Sequence, residues 1–436
     1  MKIRPSWTVG VLLPLLARGL SAAVAPVDHA PKLALIECAP GYLLDSDPAL
    51  SRAEAREAAT YDLIASAVSP KDVLPIRALN PKQIDLFPMS FGGVPHWDGF
   101  DKAGFRMPHW ELPDTAWSPL AKMEYALCRN LEMGCDWIYR SVDGAPILEW
   151  NVICTNFSRH CPVGRWGATR GLTASQYWLV CLLECARNPT FRSAFDGYWL
   201  DTYPGGYRDP KSFAHLDLDH DGLPDPMPTA EEAAQMQVLL AGLEKGLLPK
   251  QILILGQDQL DPKICPAGRM VNGWKLEDCP WQPGSSRWLL DWWTGGRRTS
   301  GYWHAQQALH RYETSSENSP FQGWGMTVVE AMKHPSVPQT VNPAYGRFVL
   351  AFTLMGDGYF ALETFGTQKL STRIPEMDSW KFAPAREPMY WAPDPKHKGA
   401  SWMCRTYTRL PSRETCTVWV DTTERDGGVL PGKYPR

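Results

Sequence analysis

The sequence predicts an α/β fold, a (β/α)8 barrel of the TIM type with a long insertion between the third and fourth barrel strands and a small C-terminal β appendage. Two observations lead to this prediction. Eight short apolar runs recur between residues 33 and 363, and helical patterns lie between them. The length of 436 residues also suits one barrel with insertions.

The first three predicted strands precede the insertion. They are Leu33–Cys38, Tyr61–Ala67 and Ile84–Ser90. Between the first two, Ser51 and Glu54 form the two ends of a capping box, which predicts a helix over residues 51–60.

The insertion that follows is rich in tryptophan. It contains a predicted helix over residues 120–133 and then a hairpin at Trp137–Trp150, where Asp143 and Gly144 form a strong two-residue turn signal.

Five more predicted strands complete the barrel, and helices over residues 173–187, 229–245 and 344–355 lie among them. The strands are Phe195–Tyr203, Ile252–Leu255, Met270–Glu277, Gly323–Val329 and Asp357–Glu363. Two further runs, Trp402–Thr408 and Thr415–Asp421, predict a pair of strands in the tail. We therefore divide the chain into a signal segment at 1–25, a barrel at 26–383 and a β-rich appendage at 384–436.

The first 25 residues have the pattern of a secretory signal. Lys2 and Arg4 precede the apolar run Trp7–Leu16, and small residues follow, with cleavage expected after Ala23 or Ala25. No other run approaches the ~20 apolar residues of a membrane helix. The sequence thus predicts a secreted or periplasmic protein without stable membrane insertion. A net charge of −3 with no basic stripe argues against a nucleic-acid partner.

The 11 cysteines agree with export to an oxidising compartment. Three near pairs are candidates for disulfides that close short loops: Cys154 with Cys161, Cys265 with Cys279, and Cys404 with Cys416. Because the count is odd, at least one thiol has no partner within the chain.

Two acidic residues end predicted barrel strands, Asp201 the fourth and Glu277 the sixth. The carboxyl ends of parallel barrel strands hold active sites, and glycoside hydrolysis needs two carboxyl groups there. One remains ionised as nucleophile or base, and the other protonates the leaving oxygen. We favour Asp201 in the first role and Glu277 in the second. The alternative is that either carboxylate caps a loop or holds a cation.

Several other residues are candidates for substrate binding. Glu37, Glu363 and Asn272 lie at or near strand ends, where they would bind sugar hydroxyls or, alternatively, hold neighbouring loops. Four of the 20 tryptophans lie in loops or at strand edges, where an indole can stack on a sugar ring or pack in a core; these are Trp97, Trp110, Trp281 and Trp324.

The segment 217–225 reads D-x-D-x-D-G-x-x-D. Its carboxylates, on Asp217, Asp219, Asp221 and Asp225, have the spacing of oxygen ligands for Ca²⁺. Pro228 stands at position twelve, where a complete EF-hand has Glu. We therefore expect a single loop stabilised by structural Ca²⁺, with a solvated acidic loop as the alternative. No motif for an organic cofactor is present.

The motifs FDGYWLDTY, DLDHDGLPD, MVNGWKLED and NPAYGRFVLAFTLMGDGYFALET, taken together, resemble a family of hypothetical secreted glycoside hydrolases. These are TIM-barrel proteins distantly similar to endo-α-1,4-polygalactosaminidases and α-galactosidase-type barrels. The resemblance covers about Lys32 to Trp380. It implies a carbohydrate-active barrel with Asp201 and Glu277 as the acidic pair. The chain departs from the family in its long insertion and in Glu363, where aspartate is expected.

The sequence therefore predicts a secreted glycoside hydrolase that acts on a poly- or oligosaccharide through two carboxylates. A non-catalytic carbohydrate-binding barrel and a polysaccharide lyase are the alternatives. A carbohydrate-binding barrel would need only the loop aromatics, which can stack on sugars without a catalytic acid. A polysaccharide lyase is compatible with the predicted Ca²⁺ loop.

Overall fold

The structure is a computed structural model. It describes residues 29–36, 51–65, 69–90, 92–95, 100–101, 104–105, 117–149, 152–201, 211–248, 251–255, 273–276, 326–331, 343–356, 358–362, 373–387, 389–397, 401–421, 424 and 426–435. The predicted signal segment, residues 1–25, lies outside them.

The strands of the described residues, in chain order, are β1 (Lys32–Ile36), β2 (Leu63–Ala65), β3 (Ile84–Ser90), β4 (Gly93–Pro95), β5 (Phe100–Asp101), β6 (Gly104–Phe105), β7 (Arg140–Ser141), β8 (Leu148–Glu149), β9 (Val152–Cys154), β10 (Gly197–Asp201), β11 (Leu216–Asp217), β12 (Ile252–Leu255), β13 (Gly273–Leu276), β14 (Met326–Ala331), β15 (Tyr359–Leu362), β16 (Phe382–Ala383), β17 (Tyr390–Pro393), β18 (Ser401–Arg409), β19 (Thr415–Asp421) and β20 (Asp426–Pro431). The helices are α1 (Arg52–Ala58), α2 (Pro70–Leu79), α3 (Pro119–Glu132), α4 (Ala174–Arg187), α5 (Pro189–Ala194), α6 (Thr229–Gly246), α7 (Pro343–Thr353) and α8 (Pro375–Ser379).

Eight parallel strands form a closed ring in the order β1-β15-β14-β13-β12-β10-β3-β2. The ring closes where β1 pairs with both β2 and β15. Each of these strands lies within or overlaps an apolar run of the sequence. Their bounds differ by a few residues; β10, for example, begins at Gly197 because Phe195 packs with Phe87 and Phe191 outside the sheet.

The prediction of a regular (β/α)8 TIM barrel is wrong for the described chain, since helices do not follow the strands one by one. Three helices, α3, α4 and α5, lie between β3 and β10. No described helix lies between β12 and β13 or between β13 and β14. Four antiparallel sheets accompany the parallel strands. The alternation was predicted wrongly because an apolar helical pattern indicates that one face of a helix is buried, but it does not indicate which strand or helix covers that face.

The barrel strands are buried on both faces, which explains their continuous apolar runs. The inward cluster consists of Ala34, Ile36, Leu63, Ala65, Ile84, Leu86, Trp199, Ile252, Ile254, Tyr359 and Ala361. Residues of the opposite alternation, such as Phe87, Tyr198 and Leu253, join the larger core between strands and helices. The side chain at each strand end can therefore be assigned to the inside or the outside.

Local signals account for several helix starts. Ser51 and Glu54 form the predicted capping box of α1, with both hydrogen bonds present. Ser118 caps α3, and Pro119 occupies its first turn, where proline is favoured. The predicted turn at Asp143 and Gly144 is present, and Gly144 adopts φ +77°.

The C-terminal sheet has five antiparallel strands, β16-β18-β19-β20 with β17 beside β18. Its inner face packs against α7, where the Arg405 guanidinium donates to the carbonyl of Gly356 at 2.6 Å and the Tyr407 hydroxyl to that of Leu354 at 2.5 Å. These bonds satisfy carbonyls at the C-terminal end of the helix.

The proposed Cys404–Cys416 disulfide is wrong. Cys416 lies opposite Tyr407 in the ladder, three residues from Cys404, so the two thiols belong to opposite faces of the sheet and to different clusters. Cys154 and Cys161 are thiols in separate clusters as well. Cys265 and Cys279 lie outside the described residues.

Within the described ranges, no helix combines the length and the apolar character needed to cross a membrane.

Candidate functional site

Asp201 is the predicted catalytic residue that the structure describes. It ends β10, where it pairs in register with Ser90 at the end of β3. Trp199 belongs to the inward cluster, and side chains two apart in a strand share a face, so Asp201 lies on the inward side at the carboxyl end of the ring. Unlike the four buried residues before it in β10, Asp201 is partly exposed.

Trp199 lies beneath Asp201 in the barrel interior. It is 1% exposed, and its Nε1 has no hydrogen-bond partner among the residues that the structure describes. An indole N–H is a donor that usually finds an acceptor when it is buried. The barrel interior just below the Asp201 carboxylate is therefore filled by the large apolar ring of Trp199, whose buried N–H finds no acceptor among the described residues.

The backbone at the start of β10 requires glycine. A Cβ at Gly197 would lie 1.8 Å from the carbonyl oxygen of Ile252 on β12. This close approach fixes β10 against its neighbour and thereby fixes the position of Asp201 four residues later.

The remaining predicted catalytic and substrate-binding residues lie outside the described residues: Glu277, Glu37, Asn272, Trp97, Trp110, Trp281, Trp324 and Glu363. For Glu277, the described strand β13 ends at Leu276, the residue before it.

A second group of charges lies at the amino end of the same strands, and the sequence analysis missed it. Arg77 on α2 donates to Asp196 Oδ1 at 3.1 Å, and its Nε lies 3.6 Å from Asp85 Oδ2. Asp196 Oδ2 accepts from the backbone N–H of Asp85 at 2.9 Å. The sequence signal that could have indicated this group is Asp85, an aspartate inside the apolar run of β3.

Asp85 is 1% exposed, and within the described ranges neither of its carboxylate oxygens has a hydrogen-bond partner. Burial raises the pKa of Asp85 to about 8, with Arg77 opposing the shift and Asp196 adding to it. The carboxyl is therefore mostly neutral near pH 7. Its position at the amino end of the barrel indicates a structural role.

The loop 217–225 folds around its first aspartate. Asp217 is 6% exposed, and its two oxygens accept from the backbone N–H groups of Asp221 and Gly222 at 3.2 and 3.0 Å. His220 at φ 62° and Gly222 at φ +86° provide the left-handed turns that the loop needs.

Three of the four predicted metal ligands converge. One carboxylate oxygen from each of Asp217, Asp219 and Asp221 lies within 4.8 Å of the others. Asp225 lies outside this group, and its Oδ2 instead accepts from the backbone N–H of Leu218 at 2.6 Å. Oxygen ligands in such a loop suit Ca²⁺. Antiparallel pairing of β11 with β7 joins the loop to the insertion.

The chain matches no protein-family model, and no curated protein matches it.

Proposed function

We propose that the protein is an exported glycoside hydrolase that cleaves a poly- or oligosaccharide, with Asp201 as one of its two catalytic carboxylates. One observation supports this most strongly. A partly exposed carboxylate stands on the inward side at the carboxyl end of a closed ring of eight parallel strands. This is the edge at which parallel barrels bind substrates.

Asp201 acts in this proposal as the ionised carboxylate. It either attacks the anomeric carbon or takes a proton from the attacking water, and its charge stabilises the oxocarbenium-like transition state. Glu277, one residue beyond β13, protonates the leaving oxygen. The first role requires the Asp201 carboxylate to be ionised when the substrate binds.

Trp199 contributes the floor of the proposed site. Its large apolar ring is fully buried in the inward cluster and closes the barrel interior beneath Asp201. An apolar floor with few polar groups is typical of small-molecule sites.

The test is a screen of purified protein on plant, algal and microbial polysaccharides, read by release of reducing ends. We expect turnover on at least one substrate and its severe loss in Asp201→Asn and in Glu277→Gln. Wild-type turnover in both variants would contradict the assignment. Binding without release would favour a non-catalytic carbohydrate-binding barrel, and products that absorb in the ultraviolet would favour a lyase.

We further propose that Asp217, Asp219 and Asp221 hold one structural Ca²⁺. Their convergent oxygens support this, together with the burial of Asp217. The ion would stiffen the segment that follows β10 rather than take part in bond cleavage.

A further inference from the structure

A second group of ligand-type side chains lies in the C-terminal sheet. Asp394 follows β17 and continues the alternation of Tyr390 and Ala392, while Asp421 ends β19 and shares the alternation of Trp419. These apolar residues form the outer cluster of the sheet. Both aspartates therefore lie on the outer face, where Asp421 Oδ2 accepts from the Trp402 indole at 3.2 Å.

His397 connects the two strand ends. Its Nδ1 lies 2.8 Å from Asp394 Oδ2, and its Nε2 lies 3.6 Å from Glu424 Oε1. Asp394 is almost fully buried, whereas the side chains of His397 and Glu424 are 43% and 53% exposed. The group thus has a buried, oriented side and a side open to solvent.

The contact between His397 and Glu424 is too long for a hydrogen bond. Two ligands of a tetrahedral zinc ion lie about 3.3 Å apart, given bonds near 2.0–2.1 Å. The observed 3.6 Å is close to this separation.

Asp421 lies beside Asp394 and His397, whereas Glu424 joins the group through its contact with His397 Nε2. One ligand atom from each of Asp394, His397 and Asp421 lies within 4.8 Å of the others. Nearby, Lys396 Nζ lies 4.0 Å from Asp426 Oδ2, and Asp426 Oδ1 also lies 3.6 Å from Arg347 Nη2. The described group therefore combines three carboxylates with one imidazole.

We propose that this group binds one divalent transition-metal ion, with Zn²⁺ as the representative. His397 Nε2, Glu424 and Asp421 supply ligands, and Asp394 orients the ring from Nδ1, as carboxylates commonly do for metal-bound histidines. One nitrogen and two oxygens, with room for water, suit Zn²⁺ better than Ca²⁺, which takes oxygen ligands. The proposal does not depend on the hydrolase function.

The test is calorimetric titration of the full chain with ZnCl₂, with CaCl₂ in a parallel arm. Glu424→Gln keeps the shape of an exposed side chain and removes one ligand, so we expect about tenfold weaker zinc binding or more. His397→Ala should abolish the site. His160→Ala is the matched control, because His160 is an exposed histidine in the insertion, and it should bind zinc as the wild type does.

Near-ultraviolet circular dichroism of each variant confirms that it is folded. If His397→Ala fails to fold, Glu424→Gln alone decides the outcome. One zinc ion per chain, lost or weakened in the two site variants and retained in the control, supports the proposal. Absence of zinc binding, or full affinity in the folded site variants, overturns it, and so does Ca²⁺ binding of equal affinity that is lost in His397→Ala.

Discussion

The two ends of β10 carry aspartates in contrasting surroundings. Asp196, before the strand, is bound by Arg77 and by the backbone of Asp85. Asp201, at the other end, lies on the inward side at the carboxyl edge of the ring and is partly exposed. Only four residues thus separate an acid that helps to hold two strands together from an acid at the carboxyl edge of the ring. The comparison sets an acid with a structural contact at the amino end of the strand against the acid that we propose to be catalytic at its carboxyl end.

The largest expected effect is a loss of turnover when Asp201, the acid at the carboxyl end of β10, is replaced. Asp201→Asn should lower turnover on the substrate found by screening by roughly 10²–10⁴-fold, because the amide cannot act as nucleophile or base. Its melting temperature should stay close to that of the wild type. Asp196→Asn should do the reverse, lowering stability while the folded fraction keeps its turnover. Equal losses of turnover in both variants would remove the contrast.

The second largest expected effect is a loss of stability when the charged group at the amino end of β3 and β10 is disrupted. Arg77→Met should lower the free energy of unfolding by about 2–4 kcal/mol, because it leaves the partly buried Asp196 carboxylate without its cation. Denaturant unfolding measures the change.

Arg129→Met is the control for that variant. Arg129 forms an exposed pair with Glu132 on α3, and pairs of this kind contribute only about 0–1 kcal/mol. If the two variants lose the same free energy of unfolding, the Arg77 group stabilises the barrel no more than an exposed ion pair does.

The group of Arg77, Asp85 and Asp196 also predicts that the free energy of unfolding depends on pH. The pKa of Asp85 is about 8 in the folded state against 3.8 for the exposed carboxyl, so the folded protein binds more protons between these values. The contribution of Asp85 to stability is therefore fully present below about pH 4 and is lost as pH rises through 8. At about 1.4 kcal/mol per pKa unit, the loss is on the order of a few kcal/mol.

Asp85→Asn should flatten this part of the curve of unfolding free energy against pH. Glu414→Gln, in the exposed turn between β18 and β19, should leave the curve unchanged. An identical slope for wild type and Asp85→Asn between pH 4 and 8 would refute the raised pKa.

The smallest expected effect concerns the loop 217–225. Excess CaCl₂ should raise the melting temperature by about 2–4 °C over protein in chelator, as expected for a ligand that binds only the folded state. Asp219→Asn should lose the response, whereas Asp225→Asn should keep it, because Asp225 lies outside the convergent group. A melting curve indifferent to chelator would exclude structural Ca²⁺.

The sequence was sufficient to place the barrel strands and Asp201, since strands buried on both faces leave apolar runs and an acid at the end of one is conspicuous. Arg77 and Asp196 are 119 residues apart, and no local pattern reports such a pair. The Cys404–Cys416 pairing failed because closeness along a hairpin does not reveal which face each thiol occupies. The regular alternation of strands and helices failed because a helical pattern indicates a buried face but not which strand the helix covers.

Chemical rescue at Asp201 tests the central claim most directly. Asp201→Ala should be nearly inactive on the screened substrate, and added azide should restore measurable turnover by replacing the missing carboxylate. The same azide should leave Asp196→Ala unchanged relative to its own baseline. An Asp201→Ala enzyme with wild-type turnover would show that the acid at the carboxyl end of β10 takes no part in the reaction.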